Sequence, residues 1–219
     1  MSFVKKKGVK MKKGLFIVVD SGEGSGKTTQ LLKAKEFFGQ ALVLTREPGG
    51  SPYAEEIRQL ILKSPHAGQA DAKTLFALFW AARADHMKNT ILPALKAGKI
   101  VVSDRFDSST FAYQIIAQGA RELKNFFWQM RDFYLGDVKP DLYVYFDIDP
   151  AVGLARKNNQ GGEELNHFEA RDLTFHNALR RGYKEFIKYV PSKVIDASQP
   201  IDKVWEDFKK VLDRRISER

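Results

Sequence analysis

Short apolar runs alternate with longer stretches of helical periodicity along most of the chain. The runs are almost continuously apolar, which is typical of parallel strands that are covered on both faces. They predict strands at Leu15–Val19, Ala41–Leu44, Ile100–Ser103, Leu142–Phe146 and Val194–Ile195. Because strands and helices alternate, we expect parallel β-α-β units in one α/β sheet.

The stretches between these runs predict helices near 26–38, 53–63, 71–97, 108–134, 150–157, 168–189 and 201–216. Asp71 suits the N-cap of the third helix, and Pro200 ahead of Ile201 suits the start of the last one. No repeat or linker interrupts the pattern, so we expect residues 14–219 to form a single domain. The polar, glycine-rich loop Asn158–Gly162 is the segment that we expect to be mobile.

Charge changes this picture only at the N-terminus. The 219 residues carry 36 Lys and Arg against 27 Asp and Glu, a formal charge of +9. Six lysines lie within residues 1–13, so the rest of the chain has a net charge of only +3. We expect residues 1–13 to be a disordered basic tail. A tether to nucleic acid or to a membrane is the alternative for this tail.

Composition excludes several kinds of site. The chain has no cysteine, so disulfides, thiolate metal sites and cysteine nucleophiles are ruled out. Its four histidines have no metal-binding spacing. The longest apolar run, Leu75–Ala82, has eight residues, whereas a membrane-spanning helix needs roughly 18 or more. We read no secretory signal either, because Asp20 ends the first apolar run. We therefore expect a cytoplasmic protein with no membrane partner.

The strongest motif is a phosphate-binding loop between the first strand and the first helix. It follows the pattern GxxxxGK[ST], except that Ser21 stands where the first glycine is usual. Backbone N–H groups and the helix N-terminus would bind phosphate oxygens, Lys27 the β- and γ-phosphates, and Thr28 a Mg²⁺ ion. The expected ATP-binding residues are Ser21, Gly22, Glu23, Gly24, Ser25, Gly26, Lys27, Thr28 and Thr29.

Three further segments add candidate site residues. Asp104 ends the third strand, where its carboxylate could hold the hydration shell of Mg²⁺, and Arg105 beside it could bind a second phosphate. A tight Pro-Gly-Gly turn follows the second strand at 48–50. Phe79 and Arg83 are i,i+4 neighbours and could hold a base and its phosphate. The alternative is a core aromatic beside a solvated arginine.

Together these motifs resemble the thymidylate kinase family over residues 14–198. The matching segments are GEGSGKTTQ at 22–30, TREPGGSPYAEEIR at 45–58, LFWAAR at 78–83, DRFDSSTFAYQ at 104–114 and KPDLYVYFDIDP at 139–150. The resemblance implies a P-loop kinase with a five-stranded parallel sheet, flanking helices and a mobile lid at about 150–168. It also implies transfer of a phosphoryl group from ATP to dTMP with Mg²⁺, and a homodimer.

The resemblance also implies roles for individual residues. Lys27, Arg105, Glu23 and a lid cation would be catalytic, and Glu23 would contact the sugar 3′-hydroxyl or help arrange metal and phosphate. Phe79 would stack on thymine, Arg105 would hold the dTMP phosphate, and Tyr113 would disfavour a ribose 2′-hydroxyl. The expected dTMP-binding residues are Glu47, Pro48, Phe79, Arg83, Arg105, Thr110, Tyr113, Gln114 and Glu169, with a cis peptide at Glu47–Pro48.

The lid departs from the family pattern. In the family, additional positive charge at the transferred group comes from the phosphate loop or from the lid. This phosphate loop carries no cation besides Lys27, so the resemblance implies that the lid supplies it. Arg156 is the first choice for this role and for ATP binding, and Arg171 and Lys157 are the alternatives. Asn166 and His167 stand where the family often has aspartate and arginine. Arg121 is also shifted from its common place.

Two other functions fit parts of the sequence. One is a kinase for another nucleotide or a deoxynucleoside, against which Phe79, Arg83 and Tyr113 argue. The other is a P-loop ATPase or nucleic-acid-binding module that uses the basic tail. That module would need a catalytic glutamate after an apolar strand, where this chain has Asp104 and Arg105. We therefore expect ATP and dTMP as partners, and no nucleic acid.

Overall fold

A five-stranded parallel sheet forms the centre of the molecule. A computed structural model describes residues 14–160 and 166–218. The predicted basic tail and residues 161–165 of the predicted lid lie outside the described residues, and residues 158–160, predicted to be loop, belong to the helix Pro150–Gln160. The strands have the order β2-β3-β1-β4-β5. They are β1 (Leu15–Ser21), β2 (Leu42–Arg46), β3 (Ile100–Asp104), β4 (Leu142–Asp147) and β5 (Ser192–Asp196). The expected fold class is confirmed, and each strand covers its predicted apolar run with shifts at the ends.

Helices cover both faces of this sheet within the described residues. The α-helices are α1 (Lys27–Phe38), α2 (Pro52–Lys63), α3 (Ala72–His86), α4 (Leu92–Lys96), α5 (Asp107–Thr110), α6 (Lys124–Leu135), α7 (Pro150–Gln160), α8 (Leu173–Phe186) and α9 (Ile201–Ser217). Wider π-helical turns follow α3 at Met87–Ile91 and α5 at Phe111–Ala117, and short 3-10 turns lie at Gly39–Ala41, Ala67–Gln69 and Arg121–Leu123.

Alternate residues of β1 point into two separate hydrophobic cores. Leu15, Ile17 and Val19 pack with residues of α1 and α9. Phe16 and Val18 pack on the opposite face with residues of α3, α6 and α8. All seven residues of β1 are buried, which explains why the run is continuously apolar until Asp20 and Ser21. The sheet is therefore a rigid platform, and its carboxyl edge carries the loops that follow β1, β2 and β3.

The predicted boundaries of two helices are wrong. The stretch 108–134 is broken, because Gly119 has a left-handed φ of 81° and α6 begins only at Lys124. The stretch 168–189 does not begin at 168: α8 starts at Leu173, after Asp172 accepts a hydrogen bond from the amide of Phe175. The stretch 71–97 runs from α3 into α4 through the π-helical turn, and Asp71 is its N-cap as predicted.

Within residues 14–160 and 166–218, no helix is both long and apolar enough to cross a membrane.

Candidate active site

The phosphate loop joins β1 to α1 in the form that its sequence predicts. Gly24 and Gly26 have left-handed φ values of 65° and 75°, which glycine adopts without strain. Gly26 ends the loop as the N-cap of α1, and the Ser25 hydroxyl accepts a hydrogen bond from the amide of Lys27. Ser21 is the last residue of β1 and does not have a positive φ, so this position does not require glycine.

Lys27 lies beside the carboxylate at the end of β3. Its buried ammonium group donates a hydrogen bond to Asp104 Oδ1. Burial lowers the pKa of Lys27, and the nearby charge of Arg105 lowers it further. Burial raises the pKa of Asp104, but the charges of Lys27 and Arg105 outweigh this effect and hold it below its usual value. The loop thus brings a lysine and a carboxylate together where a phosphate chain and a metal would meet.

The start of the lid helix α7 rests directly on the backbone of the phosphate loop. A Cβ atom at Gly153 would overlap the Glu23 carbonyl oxygen, and a Cβ at Gly24 would overlap the Gly153 carbonyl oxygen. Only two glycines allow the backbones to approach so closely. Lys157 lies one helical turn after Gly153, so the same face of α7 carries it toward the loop.

A second cavity opens beside the phosphate loop. Seven of the site residues predicted from the sequence line this cavity, and six of these seven were predicted to bind dTMP. The lining is Glu23, Glu47, Pro48, Arg58, Leu62, Phe79, Arg105, Phe106, Ser109, Tyr113, Asn166, Phe168 and Glu169. The Glu47–Pro48 peptide is cis, as the sequence predicts. Arginines, carboxylates and aromatic rings in one cavity suit a molecule with a phosphate, a sugar and a planar base.

Arg105 connects this second cavity with the phosphate loop. Its Nη1 donates hydrogen bonds to the Ser21 carbonyl at 3.3 Å and to the Tyr183 hydroxyl at 2.8 Å. Its Nη2 donates to Glu23 Oε1 at 3.3 Å. The backbone of Arg105 has a φ of 67°, which is costly for any residue with a Cβ. The guanidinium group thus lies between the phosphate loop and the second cavity.

Arg83 is completely buried behind the cavity, so the alternative of a solvated arginine is wrong. Its Nε donates to Glu47 Oε2 at 2.9 Å and its Nη2 to Thr110 Oγ1 at 3.1 Å. The Nη1 group has no hydrogen-bond partner in the described part of the chain, which is unusual for a buried charge. His86 holds the other carboxylate oxygen of Glu47 through Nδ1 at 3.0 Å. Arg83 thus joins Glu47 to Thr110 behind the cavity, and its contact with dTMP stays a prediction.

Gln114 also lies behind the cavity and does not line it. Its amide nitrogen donates to Gln118 Oε1 at 3.1 Å, and its own Oε1 lacks a partner in the described part of the chain. Gln114, Thr110 and Arg83, all expected to bind dTMP, are therefore not part of the cavity lining.

The two basic side chains near the end of α7, Arg156 and Lys157, contact different parts of the molecule. Arg156 donates to the backbone carbonyls of Ala197 and Ser198, both at 2.9 Å, in the loop between β5 and α9. Lys157 donates to Glu23 Oε2 at 2.9 Å and to Glu169 Oε1. Burial raises the pKa of Glu23, but the charges of Arg105 and Lys157 outweigh it and lower it. The structure thus brings Lys157, and not Arg156, to the phosphate loop, and the catalytic role of Arg156 stays a prediction.

Several cavity residues were missed by the sequence analysis. Arg58 lies on α2 and donates to the Pro48 carbonyl at 2.7 Å. Leu62 follows it by one turn on the same face, so helical spacing from the TREPGG turn could have found both. Asn166 and Phe168 come from the end of the predicted lid, and Phe168 stands where a helix was predicted to begin. The sequence contains little signal for these two residues, because a turn rather than a regular helix or strand places them in the cavity.

The fold and these two adjoining sites define a class of protein, the P-loop kinases that phosphorylate a second small molecule. A family model described as thymidylate kinase matches residues 19–208. The chain belongs to the thymidylate kinase family, as the sequence had indicated.

Individual relatives support the same assignment along nearly the whole chain. A thymidylate kinase of Anoxybacillus flavithermus is 40% identical over 207 residues, covering 92% of this chain and 98% of the relative. One of Halalkalibacterium halodurans is 39% identical over 212 residues, covering 94% and 100%. The crystal structure of thymidylate kinase from Ehrlichia chaffeensis has a TM-score of 0.70 and 30% identity, covering 92% of this chain and 99% of that one. Family, fold and enzyme class are therefore confirmed.

Proposed function

We propose that the phosphate loop binds ATP, that the second cavity binds dTMP, and that the two carry out the reaction of the family. That reaction, EC 2.7.4.9, transfers a phosphoryl group from ATP to dTMP, gives dTDP and ADP, and belongs to dTTP synthesis. The observation that carries the proposal is Arg105, which lines the dTMP cavity and also contacts the carbonyl of Ser21 and the carboxylate of Glu23. The proposed cytoplasmic location rests on the sequence alone.

Each part of dTMP has a matching group in the cavity. Arg105 and Arg58 supply guanidinium groups for the phosphate. Phe79 offers an aromatic face to the thymine ring, and Arg83 holds Glu47 in the cavity wall from behind. Tyr113 lines the cavity and packs against Phe168 with ring centroids 5.2 Å apart, and we assign it the role of disfavouring a 2′-hydroxyl.

The residues also fit a magnesium ion. Thr28 and Asp104 line one cleft beside the loop, and both offer the oxygen ligands that Mg²⁺ prefers. Two protein oxygens leave room for water and phosphate ligands, as is usual for this ion. When bound, Mg²⁺ would neutralise charge on the phosphates of ATP.

The chemistry needs position and positive charge more than proton transfer. A phosphate oxygen of dTMP attacks the γ-phosphorus of ATP in line, and the bond to the β-phosphate oxygen breaks. That acceptor oxygen is already ionised at neutral pH, so no strong general base is required. Lys27 on the donor side and Arg105 on the acceptor side stabilise the charge that develops between them.

A coupled assay with ATP and a panel of nucleoside monophosphates tests this proposal. We expect kcat/KM for dTMP to exceed that for dUMP by about tenfold or more, because a methyl group in an apolar pocket contributes on that order. AMP and CMP should give weaker turnover still. Equal turnover of dTMP and dUMP, AMP or CMP would contradict the substrate assignment, and ATP hydrolysis stimulated by DNA would favour the nucleic-acid alternative.

We also propose that the protein is a homodimer that pairs through α6. Phe126 and Phe133 lie seven residues apart on one face of this helix and are 47% and 79% exposed. Phe126 also contacts Phe76 of α3, with ring centroids 6.0 Å apart, so the exposed rings continue into the core. Burying these exposed aromatic rings against a second copy of the chain removes apolar surface from water, which favours association.

Replacing Phe133 by aspartate should dissociate this dimer. Sedimentation or light scattering should give twice the chain mass of 24.9 kDa for the wild type and a single chain mass for the variant. Phe37→Asp is the matched control, since Phe37 is 53% exposed on α1, on the opposite side of the sheet. A wild-type monomer, or a dimer unaffected by Phe133→Asp, would disprove pairing through α6.

A further inference from the structure

The lid region contains four side chains that can carry a positive charge. Between residues 150 and 172 these are Arg156, Lys157, His167 and Arg171, and residues 158–165 contain none. Phosphoryl transfer needs positive charge on the transferred group, and the phosphate loop supplies only Lys27. The family resemblance implies that a lid side chain adds positive charge to that of Lys27 and Arg105, and these four are its candidates.

Three of the four are directed elsewhere. Arg156 holds the carbonyls of Ala197 and Ser198 with both arms of its guanidinium group. His167 donates through Nε2 to the Ile61 carbonyl at 2.9 Å, which ties the segment after the lid to α2. The guanidinium of Arg171 lies 4.9 Å from the ring centroid of Phe175.

Lys157 is the remaining one, and its ammonium group lies at the junction of the two nucleotide sites. It is bound between Glu23 of the phosphate loop and Glu169 of the segment after the lid. Glu23 also accepts from Arg105, so a single carboxylate separates the lid lysine from the acceptor-side arginine. Both glutamates line the proposed dTMP cavity.

The electrostatics keep this lysine charged. Burial lowers its pKa, but the hydrogen bonds to Glu169 and Glu23 outweigh burial and raise it. Its side chain is only 25% exposed, so its charge is less screened than that of a surface lysine. The contact of Gly153 with the phosphate loop holds the same face of α7 in place, one turn earlier.

We infer that Lys157 is the lid cation of this enzyme and that it binds an oxygen of the phosphoryl group in transfer. This inference rests on the proposed function. As the bond from the γ-phosphorus to the ADP oxygen breaks and the bond to the dTMP oxygen forms, the ammonium group exchanges a carboxylate for a phosphoryl oxygen. No proton moves in the step. Glu23 and Glu169 hold the lysine ready before the nucleotides arrive.

Lys157→Ala tests this role in steady-state kinetics. We expect kcat to fall by about 10²-fold, the usual effect of removing one group that stabilises a transition state. The KM values for ATP and dTMP should change by less than about threefold, because the contact forms mainly in the transition state. Lys157→Arg should restore most of kcat. Lys139→Ala is the matched control, since Lys139 pairs with Asp132 far from the site.

A binding measurement separates catalysis from a merely structural role. Calorimetry should show that Lys157→Ala weakens the complex of ADP, aluminium fluoride and dTMP, which resembles the transition state, by about 10²-fold. Binding of ADP alone or dTMP alone should be unchanged. If kcat of Lys157→Ala stays within twofold of wild type, or if all three affinities fall together, the inference is wrong. A wild-type enzyme that does not phosphorylate dTMP would instead refute the proposed function.

Discussion

Replacing Arg105 by alanine should lower kcat/KM for dTMP by about 10³-fold, the upper end of what one transition-state donor contributes. The guanidinium group lines the proposed dTMP cavity and also contacts Ser21, Glu23 and Tyr183. Its removal therefore takes away the acceptor phosphate contact and loosens the position of Glu23. Steady-state kinetics with both substrates varied would measure the loss.

Arg105→Gly separates this chemical loss from backbone strain. Both variants lose the guanidinium group, but glycine adopts a φ of 67° without strain. We expect the same fall in kcat/KM, and a free energy of unfolding about 1 kcal/mol higher for Arg105→Gly than for Arg105→Ala. Urea denaturation measures this difference. If the alanine variant is the more stable one, the left-handed backbone at this position is not a source of strain.

Replacing Arg131 by methionine should destabilise the fold by roughly 3–5 kcal/mol and lower Tm by about 10 °C. Arg131 of α6 donates to Asp107 Oδ2 at 2.6 Å, and Tyr143 donates to Asp107 Oδ1 at 2.7 Å. Asp107 is fully buried, so the loss of the arginine leaves a charge inside the protein without its main partner. Calorimetric melting measures Tm.

A surface pair supplies the control for Arg131. Arg214 pairs with Glu218 at 3.1 Å, and the two side chains are 76% and 43% exposed. Arg214→Met should cost less than about 1 kcal/mol, since an exposed ion pair is weak. Equal losses for the two variants would mean that burial of Asp107 does not determine the effect.

The core of the fold could be predicted because burial on both faces leaves a strong signal. Every residue of β1 is buried, so the run had to be apolar, and the phosphate loop had to follow where the run ends. Helix ends were less certain. Gly119 marks the break before α6, but a single glycine inside a helical pattern is often tolerated, and only the packing around it shows that the chain turns there.

The candidate site was predicted best where residues belong to compact motifs. Glu47, Phe79, Arg105 and Tyr113 were found because each lies in such a motif. Phe168 was missed as a site residue because its place depends on a turn after the lid. The sequence also did not show which side of α7 faces the phosphate loop. Adjacent residues of a helix point about 100° apart, so Arg156 and Lys157 could not both face the loop. Which one does so depends on a contact earlier in the helix.

The contact between Gly24 and Gly153 has a consequence for how the lid can move. Since the two backbones already touch, α7 cannot be pressed closer, and it can leave the loop only by lifting or sliding along it. We therefore expect a change in the shape of the loop to shift α7 through this backbone contact. Because Lys157 lies one turn after Gly153, we expect its ammonium group to move with the helix.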